Sequence, residues 1–162
     1  MKKAALWAIF LLFCAAVQAS FLSVVFGANA RPDLLLTVVV SAGILGGKEL
    51  GLGIGFFAGL LQDLASGNIF GLNTLSKMAV GHLVGLLENK VFKENFFLPA
   101  IAAVAATVCS ELFIFGFLYL LGYKIDLVFF FTNQFPARAF LNLVMATPIH
   151  KIVVRLVNVE VK

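Results

Sequence analysis

Four ionisable side chains stand inside otherwise apolar stretches of this 162-residue sequence: Asp63, Lys77, Glu111 and Arg138. A charge in hydrocarbon is costly, so each must find a partner or face a wet cavity. Such a set can act as ion pairs that hold helices in place, or as a proton or substrate site. Counting along helices at about 1.5 Å per residue puts Asp63, Lys77 and Arg138 within about 8 Å of one membrane face, with Glu111 deeper. Lys77 can extend outward on its aliphatic stem and is expected to link Asp63 to Glu111. Arg138, nearest the surface, suits Asp63 or a headgroup phosphate. The expectation is an intramembrane polar clasp, with proton or substrate handling as the alternative.

A second pattern is steric. Gly51, Gly55 and Gly59 recur every four residues and therefore line one helix face, and Gly81 and Gly85 repeat the device. Ala102 and Ala106 offer a weaker version farther on. Such faces let another backbone approach closely, which predicts packing between helices of this chain; a partner's helix is the alternative. The run Gly51-Leu52-Gly53-Ile54-Gly55 is glycine-rich, but no strand precedes it, so a dinucleotide site is rejected. Phe129-Phe130-Phe131 forms an outer aromatic segment, read as a belt at the membrane surface or as a place for a partner to bury area.

Other chemistries find little support. His82 and His150 are far apart and lie in no metal-ligand spacing, and neither sits beside a nucleophile. Cys14 and Cys109 fall within apolar runs, as small packing residues do. The net charge of +4 comes without any basic run or stripe, which argues against nucleic acid. No enzyme activity, metal or cofactor is expected.

The elements that must carry these residues follow from composition. The chain is 62% apolar and 12% charged, whereas soluble domains run at about 45–50% and about 25%. The pattern predicts an all-α, polytopic membrane protein of about six transmembrane helices in one domain spanning residues 1–162, with spans near 4–26, 33–46, 50–65, 72–87, 96–121 and 136–156. The second and third are short, as in helices that rest against protein or a thinned bilayer. Asp33 can cap the second helix, Pro136 can open the last and Pro148 can kink it. The stretch 127–135 is too short to cross alone and reads as interfacial, and 153–162 reads as frayed or interfacial.

With the amino terminus inside, Lys2, Lys3, Lys48, Lys90, Lys93, Lys151, Arg155 and Lys162 fall on the cytoplasmic side, against Arg31 and Lys124 outside. That bias predicts two cytoplasmic termini. Residues 1–19 have the form of a cleavable signal peptide, but the apolar run continues to Phe26, which favours retention.

The segment 31–88 resembles the MreD family of rod shape-determining membrane proteins. The likeness is carried by Arg31-Pro32-Asp33-Leu34-Leu35, by Gly55-Phe56-Phe57-Ala58-Gly59-Leu60-Leu61-Gln62-Asp63, and then by Gly67, Gly71-Leu72-Asn73, Gly81 and Gly85. The resemblance implies a noncatalytic scaffold of the bacterial cytoplasmic membrane that binds MreC. It acts indirectly with MreB, a RodA-type glycosyltransferase and a penicillin-binding transpeptidase to organise sidewall peptidoglycan synthesis. It also implies a fold like the substrate-binding components of energy-coupling factor transporters. Service as such a vitamin-binding component is the alternative, with Asn73, Lys77, Glu111, Gln134 and Arg138 as the polar side chains available to a pocket.

Overall fold

A computed structural model describes residues 2–26, 31–67, 69–87, 98–124 and 126–161. Among them all regular structure is helical: α1 (Lys2–Val17), a π-helical turn (Gln18–Leu22), α2 (Ser23–Phe26), α3 (Leu34–Ser66), α4 (Leu72–Gly85), α5 (Leu98–Leu120), α6 (Leu127–Phe129), a second π-helical turn (Phe130–Gln134) and α7 (Phe135–Val161). The turn at 27–30, the polar connection at 88–97 with Lys90 and Lys93, and Lys162 lie outside the described residues.

The pivotal element is α3. Asp33 caps its start by accepting from the Leu36 N–H at 2.9 Å, as the sequence suggests. At Gly47 the backbone turns to φ 77°, ψ −172°, a conformation that a side chain would resist, and the helix breaks there. The two arms then run antiparallel. Gly51 of the second arm lies against Gly43 of the first, and farther along Gln62 reaches the Asp33 carboxylate. At about 1.5 Å per residue the first arm, 34–46, is only about 20 Å long. Gly67, at φ 64°, ends the second arm in the left-handed conformation usual for a helix C-cap.

The first arm sits at the centre. Every residue from Leu34 to Ile44 is buried, so this helix is apolar all round and has neighbours on every side. One core joins Trp7, Leu11 and Cys14 of α1 to Val38, Val39 and Ala42 of that arm, and continues into Ile54, Ala58, Ile149 and Val153. A second joins Leu36, Val40 and Ile44 to Val80 and Val84 of α4 and Ala106 of α5. Outside, large apolar side chains such as Ile9, Phe57, Leu64, Ile101, Leu120 and Phe140 are exposed, as expected where the surrounding solvent is lipid.

Three described stretches are long and apolar enough to cross a membrane: Leu34–Ser66, Pro99–Leu120 and Phe130–Val157. The first is the broken helix, so its length is shared between two antiparallel arms.

Two helix bounds differ from the expected ones. The stretch 127–135 is helical and runs through the second π-helical turn directly into α7, so the last helix is entered before residue 136. The end expected to fray is helical to Val161, and α7 continues through Pro148.

Candidate functional site

Helix α4 begins at Gly71, whose φ of 98° and missing side chain leave the first N–H groups of the helix without a cap. Asp63, from the end of α3, supplies it. Its carboxylate accepts from the N–H groups of Gly71, Asn73 and Thr74 at 3.0–3.1 Å, from the Asn73 amide at 2.9 Å and from the Thr74 hydroxyl at 2.6 Å. A negative charge over a helix N-terminus is also favoured by the helix dipole. Asp63 thus ties the end of α3 to the start of α4, and it has no lysine or arginine partner among the described residues.

Lys77, the largest fully buried side chain among the described residues, does not link Asp63 to Glu111 as expected. Its ammonium lies 2.7 Å from Oδ2 of Asp33. The same carboxylate accepts from Gln62 at 3.3 Å and caps Leu36, so Asp33 joins both arms of α3 to α4. Behind it, Asn142 of α7 accepts from the Asp33 N–H at 2.7 Å and donates to Thr107 of α5 at 2.9 Å. Asn142 is fully buried, and sequence reasoning overlooked it. One available signal was an asparagine in the middle of a helix expected to cross the membrane, where an unbonded amide is costly.

Glu111 takes the remaining cation. Arg138 donates to its Oε1 from Nη1, in place of the expected pairing with Asp63 or a headgroup. The guanidinium also stands 5.7 Å from the centre of the Phe130 ring. Phe130 is buried against Phe115, with ring centres 4.5 Å apart and nearly perpendicular. Of the three aromatic residues singled out, Phe129 is exposed, Phe131 half-buried and Phe130 inside the bundle. The four intramembrane charges therefore occupy three places: a cap at Asp63, the Lys77–Asp33 pair and the Arg138–Glu111 pair.

The glycine faces meet one another. A Cβ placed on Gly51 would strike the Gly81 carbonyl, one on Gly55 the Lys77 carbonyl, one on Gly59 the Thr74 backbone and one on Gly85 the Lys48 backbone. These contacts form a seam between α4 and the second arm of α3, and that seam holds the Lys77 backbone close to the hairpin. Gly53, on the other face, has open space beside it.

Above the two ion pairs lies a cleft of about 840 Å³. It is lined from the ends of α1, α5 and the second arm of α3, and from the starts of α4, α7 and the first arm, so it opens opposite the amino end of α1 and the carboxyl end of α7. The polar side chains that line it include Gln18, Asp33, Gln62, Asn73, Glu111 and Arg138, with Arg31, Ser66 and Tyr123 beside them. Only Asn73, Glu111 and Arg138 of these are among the pocket candidates drawn from the sequence. Gln18 lies in the π-helical turn, where its amide oxygen accepts from the Leu35 N–H at 3.2 Å.

The match to known families agrees with the motifs that this architecture brings together. A family model described as rod shape-determining protein MreD matches residues 1–159. No curated protein and no solved structure matches the chain. The Asp63 cap, the glycine seam and the Asp33 carboxylate all lie within that match, and the chain belongs to the MreD family of rod shape-determining membrane proteins.

Proposed function

We propose that this protein is a noncatalytic scaffold of the rod-shape complex in the bacterial cytoplasmic membrane, binding MreC and through it organising sidewall peptidoglycan synthesis with MreB, a RodA-type glycosyltransferase and a penicillin-binding transpeptidase. The observation that carries this reading is the family match along nearly the whole chain. The roles of the carboxylates support the noncatalytic part, since Asp33, Asp63 and Glu111 are each engaged in holding helices together. We read the architecture as six crossings, with the two arms of α3 counted separately and both termini cytoplasmic; the cleft then faces outward. The positive-inside bias supports this orientation.

The glycine seam is used within the chain, which leaves the aromatic entry of α7 as the better of the two surfaces considered for an MreC helix. Depletion in a rod-shaped cell tests the function: loss of rod shape is expected, with recovery of MreC alongside the tagged protein. Site-specific crosslinking from Phe129 should capture MreC, whereas crosslinking from Thr74, inside the seam, should not.

The cleft favours a second reading, a substrate-binding component of an energy-coupling factor vitamin transporter, because its volume falls in the range of about 300–1,000 Å³ typical of small-molecule sites. Vitamin auxotrophy without a shape change, and copurification of an ATPase module without MreC, would select it over the first.

A further inference from the structure

The cleft has a chemical character beyond its size. The two carboxylates that line it are already neutralised, Asp33 by Lys77 and Glu111 by Arg138. Arg31, at the exposed rim, is itself engaged. An ion entering the cleft would therefore have to break an existing pair to gain one of its own, and that exchange offers little.

What remains at the wall is a mixture of neutral donors and acceptors. The amide oxygen of Gln62 and Nε of Arg138 carry no hydrogen bond among the described residues, but both atoms are closed off from the open space. Gln18 has its oxygen on Leu35 and its amide nitrogen without a partner among those residues, and Asn73, whose nitrogen serves Asp63, has its oxygen in the same position. One donor, on Gln18, and one acceptor, on Asn73, thus stand at the same space. Groups of this kind bond to water or to an occupant of the cleft. A hydroxyl both donates and accepts, and a group bearing several can serve such a mixed wall without bringing charge. Apolar side chains of Leu35, Leu72, Ile114 and Leu118 line it as well, beside the hydroxyl-bearing Ser66 and Tyr123, and suit the hydrocarbon face of a sugar ring or the first carbons of a lipid.

We infer that the cleft is a binding site for an uncharged, hydroxyl-bearing group of the kind carried by a sugar or polyol, presented by a membrane amphiphile or free in solution. This goes beyond the scaffold reading and does not depend on it: loss of rod shape on depletion requires no ligand, and ligand binding requires no MreC.

The test uses the full chain in phosphatidylcholine nanodiscs, with monoglucosyl-diacylglycerol as probe, diacylglycerol as its sugar-free parent and glucose as the free sugar. Native mass spectrometry and thermal unfolding read binding. The glucosyl lipid should be retained and should raise the unfolding temperature, while the parent lipid does neither. Leu118→Trp, which fills the cleft without touching a polar group, should weaken binding by about tenfold or more. Circular dichroism and gel filtration establish that this variant folds, and Ile114→Trp is the second filling variant.

Glucose that competes with the glucosyl lipid, or binds in its place, supports the site and assigns its ligand to solution. Retention that glucose does not affect supports it and assigns the ligand to the membrane. Equal retention of the parent lipid, unchanged binding in a folded filling variant, or no binding of either sugar would overturn the inference. The comparison of the two lipids on the unaltered protein stands even where neither variant folds.

Discussion

The ammonium of Lys77 ends 2.7 Å from the Asp33 carboxylate, although 44 positions separate them in the chain. Both belong to one polypeptide hairpin and the helix that follows it, and the lysine is wholly enclosed. A buried pair of this kind adds little net stability over an apolar pair, but losing one member leaves the other charge stranded.

The first prediction follows from that asymmetry. Lys77→Met should destabilise the protein by about 3–5 kcal/mol, and Asp33→Asn by a comparable amount. The double variant should recover much of the loss. Unfolding of the purified protein in mild detergent, followed by circular dichroism, measures the cycle; strictly additive losses would mean the pair is not coupled.

Asp63 should be about as sensitive for a different reason. Asp63→Ala strands three N–H groups and two side chains at the start of α4, a loss of about 3 kcal/mol. Asp63→Asn keeps an acceptor but forfeits the charge, so it should fall between the two proteins in the same unfolding measurement. Proteolysis of the 67–71 turn should rise in the order of the loss.

The seam gives a contrast between two glycines on one helix. Gly55→Ala drives a methyl group into the Lys77 backbone and should cost about 2 kcal/mol, whereas Gly53→Ala meets nothing and should be neutral or stabilising by up to about 1 kcal/mol. Expression level and unfolding midpoint of the pair separate packing from helix propensity, which acts equally on both.

For the second ion pair, Glu111→Gln should weaken the hold on α7 by about 1–3 kcal/mol, because Arg138 keeps a hydrogen-bond acceptor but loses its counter-charge. Phe130 should become more mobile, read as broadened fluorine resonances from labelled phenylalanine. Glu111→Gln combined with Arg138→Gln should restore sharp signals.

Much of this architecture is legible in the sequence, for identifiable reasons. Apolar runs fix where helices form, and glycines at a four-residue interval announce a close approach. The break between the second and third expected helices is visible as Gly46-Gly47, and the need of each buried charge for a company of polar groups follows from solvation alone. Depth along a helix can also be counted.

What cannot be counted is which helices are neighbours. Lys77 and Asp63 look well placed for each other by depth, and yet Asp63 faces the start of α4 while Lys77 points toward the first arm of α3. Asp33 reads from the sequence only as a cap, because it precedes its helix; the same carboxylate caps with one oxygen and binds a lysine with the other. A π-helical turn shifts the register of the side chains beyond it, and hydropathy carries no sign of that shift at Gln18 or Phe130.

The break at Gly47 bears on how the protein is made. Because the chain folds back there, the seam from Gly43 to Gly85, the Asp63 cap and the Lys77–Asp33 pair are all drawn from residues 33–85. A ribosome can therefore deliver a segment whose buried lysine is already neutralised before α5 is synthesised. The later helices add Asn142 and the Arg138–Glu111 pair to an assembled nucleus, so the insertion machinery need not shelter an unpaired Lys77 while it waits for the carboxyl-terminal half.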